Sequence, residues 1–205
     1  MIDMAELIAV LNAQDIELSK AELESFIQGK CTLKERLAFF KASKQEIDLI
    51  KKQSVLIKLI AEKKFETKLN EEKIINLIQQ KEFQNLFKEK KYSVQVSFIR
   101  ENIAWLNPVF IANLIDQGTV DLAKPNVKLR LIVQEKKVYF CFNEIKIKAN
   151  FIDEKKLSFR SSTSLKAILS RTIINLSQAR KNKSFLDCFC GSGITLIDAC
   201  AIGCK

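Results

Sequence analysis

The chain has 205 residues, 34 Lys and Arg against 24 Asp and Glu, and a formal net charge of +10. That length holds one domain or two small ones. The absence of His removes Ser–His and Cys–His catalytic pairs and every His-ligated metal site. No stretch of about 18 uncharged apolar residues exists, so no transmembrane helix and no membrane partner are expected. The start, Met1-Ile2-Asp3-Met4-Ala5-Glu6, lacks the basic region and apolar core of a secretory signal, and a cytoplasmic location is expected. The positive excess favours phosphate, because neutralising phosphates releases counterions. It fits equally a lysine-rich chain whose charges only solvate its surface. Six cysteines, at 31, 141, 188, 190, 200 and 204, fit a reduced compartment better than a disulfide framework. The last four run C-x-C-x9-C-x3-C, which is not a usual zinc spacing, and no metal is expected.

In chain order, residues 7–11 are a short apolar run that predicts a first strand. Ser19 and Glu22 have the spacing of a capping box, so a helix of about two turns is expected from there to near Gly29. Residues 32–40 predict a second strand. Ser43 and Glu46 form a second capping box, opening a helix towards Lys52. Residues 55–60 fit a strand or a helix. Asn70 caps a helix over 71–80, with Ile74, Leu77 and Ile78 on its core side.

From Tyr92 the period changes. Val94, Val96 and Phe98 alternate with Ser93, Gln95 and Ser97, as in a half-buried strand. Asn107-Pro108 starts a helix through Phe110, Ile111, Leu114 and Ile115, which Gly118 ends. Residues 120–126 read as a turn. Residues 127–133 and 138–142 read as a hairpin closed by a tight turn over 134–137, with 145–148 continuing it. Residues 162–164 can cap a helix running to about Arg180, with Leu165, Leu169, Thr172, Leu176 and Ala179 on one face. Asn182 breaks it. Two Pro and five Gly leave no room for a long disordered linker.

The most informative stretch comes last. Residues 184–187 read as a buried strand, residues 188–193 as a turn of small residues, and Ile194 onward as a helix. A strand ending in Asp, then a small-residue turn and a helix, is how doubly wound sheets bind nucleotide-like cofactors at their carboxyl edge. Gly191 and Gly193 allow close approach and unusual backbone angles. The Asp187 carboxylate can accept from a cofactor's ammonium or ribose hydroxyls. The spacing is neither G-x-x-x-x-G-K-[ST] nor G-x-G-x-x-G, which excludes a P-loop and a dinucleotide fingerprint.

The run Asp187-Cys188-Phe189-Cys190-Gly191-Ser192-Gly193-Ile194, continuing to Ala199, closely resembles the S-adenosylmethionine motif Asp-Pro-Phe-Cys-Gly-Ser-Gly-Thr of RNA and DNA amino-methyltransferases. The helix ahead of it, with Leu169-Ser170-Arg171 and Asn175-Leu176, resembles the Leu-Ala-Arg-x-x-x-Asn-Leu pattern of tRNA guanine-N2 methyltransferases. Residues 94–98 and 120–126 are similar to the THUMP domain of those enzymes, and residues 18–23 to their ferredoxin-like N-terminal domain. The chain is thus identified as resembling the N-terminal half of an archaeal/eukaryotic-type THUMP-domain tRNA (guanine-N2) methyltransferase, the tRNA guanosine-10 family. The resemblance implies an α+β protein. A ferredoxin-like N-terminal domain would cover residues 1–90, a THUMP core 91–152, and a linker plus the first helix–strand–helix piece of a Rossmann-like methyltransferase domain 153–205. It also implies that Asp187, Cys190, Gly191, Ser192 and Gly193 line S-adenosyl-L-methionine. Cys188 stands at the motif's usual proline, Ile194 at its threonine, Asp198 at its glutamate and Ser170 at the helix's alanine.

The family's catalytic Asp-Pro-Pro-Tyr-type motif accepts from the target amine while an aromatic ring stacks on the flipped base. This sequence contains none. Asn107-Pro108-Val109-Phe110 resembles it only superficially, precedes the cofactor motif and starts a helix. The acidic residue of the next strand, which would bind the ribose, is also missing, so no catalytic residue is assigned. With 12 residues after Gly193, the expectation is that a separate chain supplies the remaining strands, the catalytic motif and most of the cofactor pocket.

Residues 41–100 hold 14 basic and 8 acidic side chains, a net +6. Arg100, Lys124, Lys128 and Arg130 are the candidate tRNA contacts, which would position RNA through its backbone without reading sequence. Trp105, Phe110 and Tyr139 either stack on bases or fill the core. Three readings follow: the tRNA-binding half of a split methyltransferase, a non-catalytic THUMP-type tRNA-binding protein with a vestigial methyltransferase tail, or a truncated product.

Overall fold

The computed structural model describes residues 6–100, 102–148, 151–152 and 164–205. The chain forms two compact units, residues 1–60 with 146–205, and residues 61–145. These limits differ from the expected boundaries near 90 and 152. The C-terminal stretch packs with the first 60 residues because helix α6 (Ala167–Leu176) lies against helix α1 (Ile16–Phe26). Most of the expected linker, residues 153–163, lies outside the described residues.

The first unit runs β1 (Leu7–Leu11), α1, β2 (Thr32–Lys34), β3 (Leu37–Phe40), α2 (Lys44–Gln53) and the start of β4 (Ile57–Lys68). Its strand order is β2-β3-β1-β4. β3 is antiparallel to β1, with Leu7 opposite Phe40, and to β2, with Thr32 opposite Phe39. Residues 32–40 are therefore a hairpin and not the single strand expected. Glu35, at φ 48°, turns the chain. The core holds Ala9, Leu11, Leu23, Phe26, Ala38, Phe40, Ile50, Ile57 and Ile60. Large apolar side chains of this kind contribute about 1.5–3 kcal/mol each when fully buried.

Helix α2 begins as expected. The Ser43 hydroxyl accepts from the Glu46 N–H at 3.3 Å, and the Glu46 carboxyl accepts from the Ser43 N–H at 2.6 Å. Helix α1 corrects the other capping box. Its cap is Asp15, whose carboxyl accepts from the Leu18 N–H at 2.9 Å. Ser19 sits one turn inside and donates to the Asp15 carbonyl at 2.6 Å. Glu22 is fully buried. Its carboxyl accepts from the Ser54 hydroxyl (2.7 Å), the Val55 and Leu56 N–H groups (3.1 and 2.9 Å) and the Asn175 amide (2.7 Å). It ties α1 to the approach of β4 and to α6, where a buried polar group must find such partners.

The second unit holds the rest of β4, α3 (Glu71–Ile78), α4 (Lys81–Asn85), β5 (Lys90–Phe98), α5 (Pro108–Ala112), β6 (Gly118–Val120), β7 (Val127–Gln134) and β8 (Lys137–Lys146). Its strand order is β4-β8-β7-β5-β6. β5 runs parallel to β6 and β7, and β7 and β8 form an antiparallel hairpin with Gln134 opposite Lys137. Glu135, at φ 52°, supplies the left-handed residue that such a two-residue turn needs. Asn70 and Asn107 cap α3 and α5 as expected, accepting from Lys73 and Phe110 N–H groups at 3.0 Å each. Pro108 opens α5, where its missing N–H costs nothing. Gly118 does not end α5. It begins β6, where a Cβ would lie 2.7 Å from the Phe87 carbonyl oxygen and 2.8 Å from that of Lys90. The core is aromatic. Phe83, Phe87, Tyr92, Phe140 and Phe142 cluster with Phe83–Phe87 at 5.4 Å and Phe87–Tyr92 at 5.1 Å between ring centres.

Candidate functional site

Helix α6 sets the site. Its N-cap is Lys166, without a side-chain cap, so Ser164 does not cap it; Ser162 lies outside the described residues. It ends at Leu176, short of Arg180, and Gln178 at φ 56° stops it. The expected face splits: Leu169 and Leu176 are exposed, Leu165 is half-buried, and Thr172 and Ala179 are buried. The buried side carries Ala167, Ser170, Arg171, Ile174 and Asn175. Partners inside decide this choice. The Asn175 amide donates to Glu22 at 2.7 Å and to the Gln53 carbonyl at 3.0 Å. Arg171 forms an ion pair with Asp198, its Nε lying 3.1 and 3.0 Å from the two carboxylate oxygens.

Residues 184–187 form no strand. The Phe185 N–H donates to the Lys205 carbonyl at 3.1 Å, and the Lys205 N–H to the Lys183 carbonyl at 2.8 Å. A parallel ladder needs neighbours on both sides, and among the described residues none is present. Leu186 and Phe189 are accordingly 83% and 96% exposed.

The turn that follows is built tightly. Asp187 accepts from the Phe189 N–H at 3.0 Å with one oxygen and from the Thr195 hydroxyl with the other. The Gly193 N–H donates to the Cys190 carbonyl at 2.7 Å. Gly191 and Gly193 take φ 51° and 75°, the left-handed region that glycine enters without a steric cost. Gly193 is the N-cap of α7 (Ile194–Ala201), which has no side-chain cap and no acidic residue in its first turn. Its first amides thus have no side-chain acceptor at the cap, an arrangement that suits an anionic group.

A groove of about 730 Å³ opens here, lined among others by Ile173, Phe185, Asp187, Cys190, Gly191 and Thr195. Of the expected cofactor residues, Asp187, Cys190, Gly191 and Ser192 line it, and Gly193 adjoins it as the helix cap. A carboxylate with spare lone pairs, beside an uncapped helix start, fits a ligand carrying both a cationic or hydroxyl donor and an anionic acceptor. Nothing lies within 4 Å of a Cβ built on either glycine, so the backbone there is open to a ligand. A slightly larger hollow of about 780 Å³, lined by Glu6, Lys30, Lys41 and Glu46, mixes both charges. Its Glu46 carboxyl is already taken by the Ser43 and Gln28 N–H groups.

The candidate RNA contacts separate. Lys124 and Lys128 are exposed, near the start of β7, and the Lys124 N–H is held by Asp121 at 2.9 Å. Lys128 lies opposite Ser93. Arg100 is exposed seven residues along from Ser93, roughly 20 Å away at strand rise. Arg130 is buried. Its guanidinium pairs with Glu144 and donates to Ser97 and Gln95, so it braces the sheet and does not present a cation to phosphate. Tyr139 is buried, whereas Trp105 is part exposed and meets Phe110 edge-on at 5.6 Å. Asn107 acts as a helix cap.

Among the described residues no group of three or more His, Cys, Asp or Glu could hold a metal ion. No helix among them is long and apolar enough to cross a membrane. Sequence reasoning missed Thr195, Glu22 and the Arg171–Asp198 pair. A signal existed for Thr195, which stands three residues from Asp198 and so shares its helix face.

Residues 155–205 match a protein family described as "UPF0020: RMKL-like, methyltransferase domain". No curated protein matches the chain. Among solved structures it is similar to TrmN from Thermus thermophilus, with 17% identity, a TM-score of 0.57, and coverage of 96% of this chain and 61% of that one. It is also similar to SMU.472, a putative methyltransferase complexed with SAH, with 17% identity, a TM-score of 0.54, and coverage of 99% and 56%. A possible methylase from Clostridium difficile 630 gives 14% identity, a TM-score of 0.57, and coverage of 97% and 55%. The chain therefore spans between half and two thirds of the length of these structures and shares their fold, a mixed α/β arrangement that ends in a methyltransferase-like segment.

Proposed function

We propose that these 205 residues are the tRNA-binding portion and cofactor loop of an S-adenosylmethionine-dependent tRNA (guanine-N2) methyltransferase whose other strands and catalytic motif lie outside them. The observation that carries the reading is the turn from Asp187 to Gly193, which opens on a groove beside an uncapped helix start. S-adenosylmethionine offers an ammonium and ribose hydroxyls to a carboxylate and its own carboxylate to helix amides. The cofactor supplies the methyl group; transfer to guanine N2 leaves S-adenosylhomocysteine and releases one proton. SAH bound to SMU.472 supports the cofactor class.

The β-α-β-β-α-β order through β4 supports a ferredoxin-like N-terminal module. The parallel β5–β7 pair with α5 between its strands supports a THUMP-type module. Arg100, Lys124 and Lys128, all exposed, are its proposed phosphate contacts. The exposed Leu186 and Phe189 beside an unladdered segment support a missing neighbour strand.

The test combines the chain with the product of the neighbouring coding region, provided that product carries an Asn/Asp-Pro-Pro-Tyr/Phe motif, and measures labelled methyl transfer to tRNA. N2-methylguanosine formed only with both chains present is the expected result. No transfer with both present refutes the enzyme reading. Strong tRNA binding by this chain without transfer would instead favour a docking protein.

A further inference from the structure

We propose that Thr195 is the positioning residue of the glycine loop: its hydroxyl fixes the Asp187 carboxylate towards the ligand, and the buried Arg171–Asp198 pair holds Thr195 in register. This inference rests on the cofactor reading of the loop.

Thr195 is buried and donates to one oxygen of Asp187, while the Phe189 N–H donates to the other at 3.0 Å. A carboxylate held at both oxygens cannot swing about its own bond. Each oxygen keeps a lone pair in a fixed direction for an ammonium or hydroxyl donor. Thr195 and Asp198 stand three residues apart on α7, on one face. Asp198 is fully buried and accepts from Arg171 Nε at 3.1 and 3.0 Å, with the Ser170 hydroxyl at 3.5 Å. Arg171 sits on α6, which the Asn175–Glu22 bond fastens to α1. A continuous set of contacts thus runs from two packed helices to the loop. Turning α7 by one residue, about 100°, would carry Thr195 away from Asp187. The plainer alternative is a hydroxyl that is merely satisfied where it happens to pack.

Three variants of the 205-residue chain separate these: Thr195→Val, Thr195→Ser and Asp187→Asn, with the double variant Thr195→Val/Asp187→Asn. The readouts are amide exchange at Phe189 and S-adenosylhomocysteine binding by saturation-transfer NMR, which detects weak complexes. Thr195→Val is isosteric, so it keeps the packing and removes the donor. It should speed exchange at Phe189 and weaken binding, each roughly tenfold. Thr195→Ser should keep both within about twofold. The double variant should be no worse than Asp187→Asn, because the two side chains act as one unit. Wild-type behaviour in Thr195→Val, defects in Thr195→Ser equal to those in Thr195→Val, or additive losses in the double variant would each overturn the proposal. If the wild-type chain binds no S-adenosylhomocysteine, the cofactor reading of this chain fails. The exchange rates then decide the positioning role by the same criteria.

Discussion

Replacing Glu22 with Gln is the sharpest test of how the first unit is held together. All four groups that meet its carboxyl are donors: the Ser54 hydroxyl, the Val55 and Leu56 N–H groups and the Asn175 amide. Gln turns one acceptor oxygen into a donor NH2. Placed towards Val55 and Asn175, that NH2 opposes two fixed donors. Placed towards Ser54 and Leu56, it opposes one, because the Ser54 hydroxyl can rotate. The better placement still leaves the Leu56 N–H without an acceptor, at about 1–3 kcal/mol for a buried donor. The bonds that survive are weaker to an amide oxygen than to a carboxylate, adding about 1 kcal/mol. A loss of about 3 kcal/mol lowers the melting temperature by roughly 6–12 °C for a chain of this size. Thermal and urea unfolding followed by far-ultraviolet circular dichroism measure it. A Glu22→Gln chain that melts within 1 °C of wild type would refute the hub. Asn175→Ala should cost less than Glu22→Gln: it withdraws one donor from Glu22 and one from the Gln53 carbonyl, but leaves three donors on the carboxyl and sets no donor against another.

Arg171→Met strands Asp198 in the interior and should cost about 3–5 kcal/mol in urea unfolding, most of which returns when Asp198→Leu is added. Gly118→Ala should cost more than about 2 kcal/mol, because its Cβ would meet carbonyl oxygens at 2.7 and 2.8 Å; Gly29→Ala, with nothing within 4 Å, should be within about 0.5 kcal/mol of wild type. Burial, reinforced by Glu24, pushes the Cys31 thiol up to about 11, and burial pushes Cys141 up to about 12. Peptide mapping after brief alkylation at pH 8 should therefore find Cys188 and Cys200 labelled, both exposed, and Cys31 and Cys141 protected until the chain unfolds. At Glu46 burial works to raise the carboxyl, but hydrogen bonds from Ser43 and the Gln28 N–H outweigh it and hold it below the ordinary 4.5. Its share of stability is present above that value and is lost as the pH falls through its folded value. Ser43→Ala should thus cost about 1 kcal/mol at neutral pH, a gap that narrows below pH 4.5 in acid titrations of unfolding.

What was legible in the sequence was local. The Ser43–Glu46 box, the Asn70 and Asn107 caps and the β7–β8 hairpin depend on residues within a few positions of one another, and each formed as expected. The hairpin at Glu35 stayed hidden because β2 is only three residues long and β3 is buried throughout, so neither shows the alternation that marks a strand pair. At α1 the same local logic failed: Ser19 and Glu22 have the right spacing for a cap, but the partners of Glu22 stand more than thirty residues away, and one is on α6. Arg130 looked like a surface cation because Ser97, Gln95 and Glu144 approach it only through the strand register. On α6, counting apolar residues placed Thr172 and Ala179 inside correctly but also Leu169 and Leu176, which are exposed because Arg171 and Asn175 found partners in the interior. The cofactor loop was readable because its parts lie in one short run. The assigned cofactor residues stopped at Gly193, two residues before Thr195.

The first unit is assembled from both ends of the chain, whereas the second is a single stretch, residues 61–145. Glu22 and Asn175, which join the two ends, are 153 positions apart. Domains form as whole units while a ribosome extends the chain from its N-terminus. The second unit therefore has all its residues in hand while Glu22 still waits for its last donor. Closing so long a gap adds little entropic cost over a shorter one, since that cost grows only with the logarithm of length. What it imposes is an order of availability: every residue of the middle unit is synthesised before the first unit has its last ones.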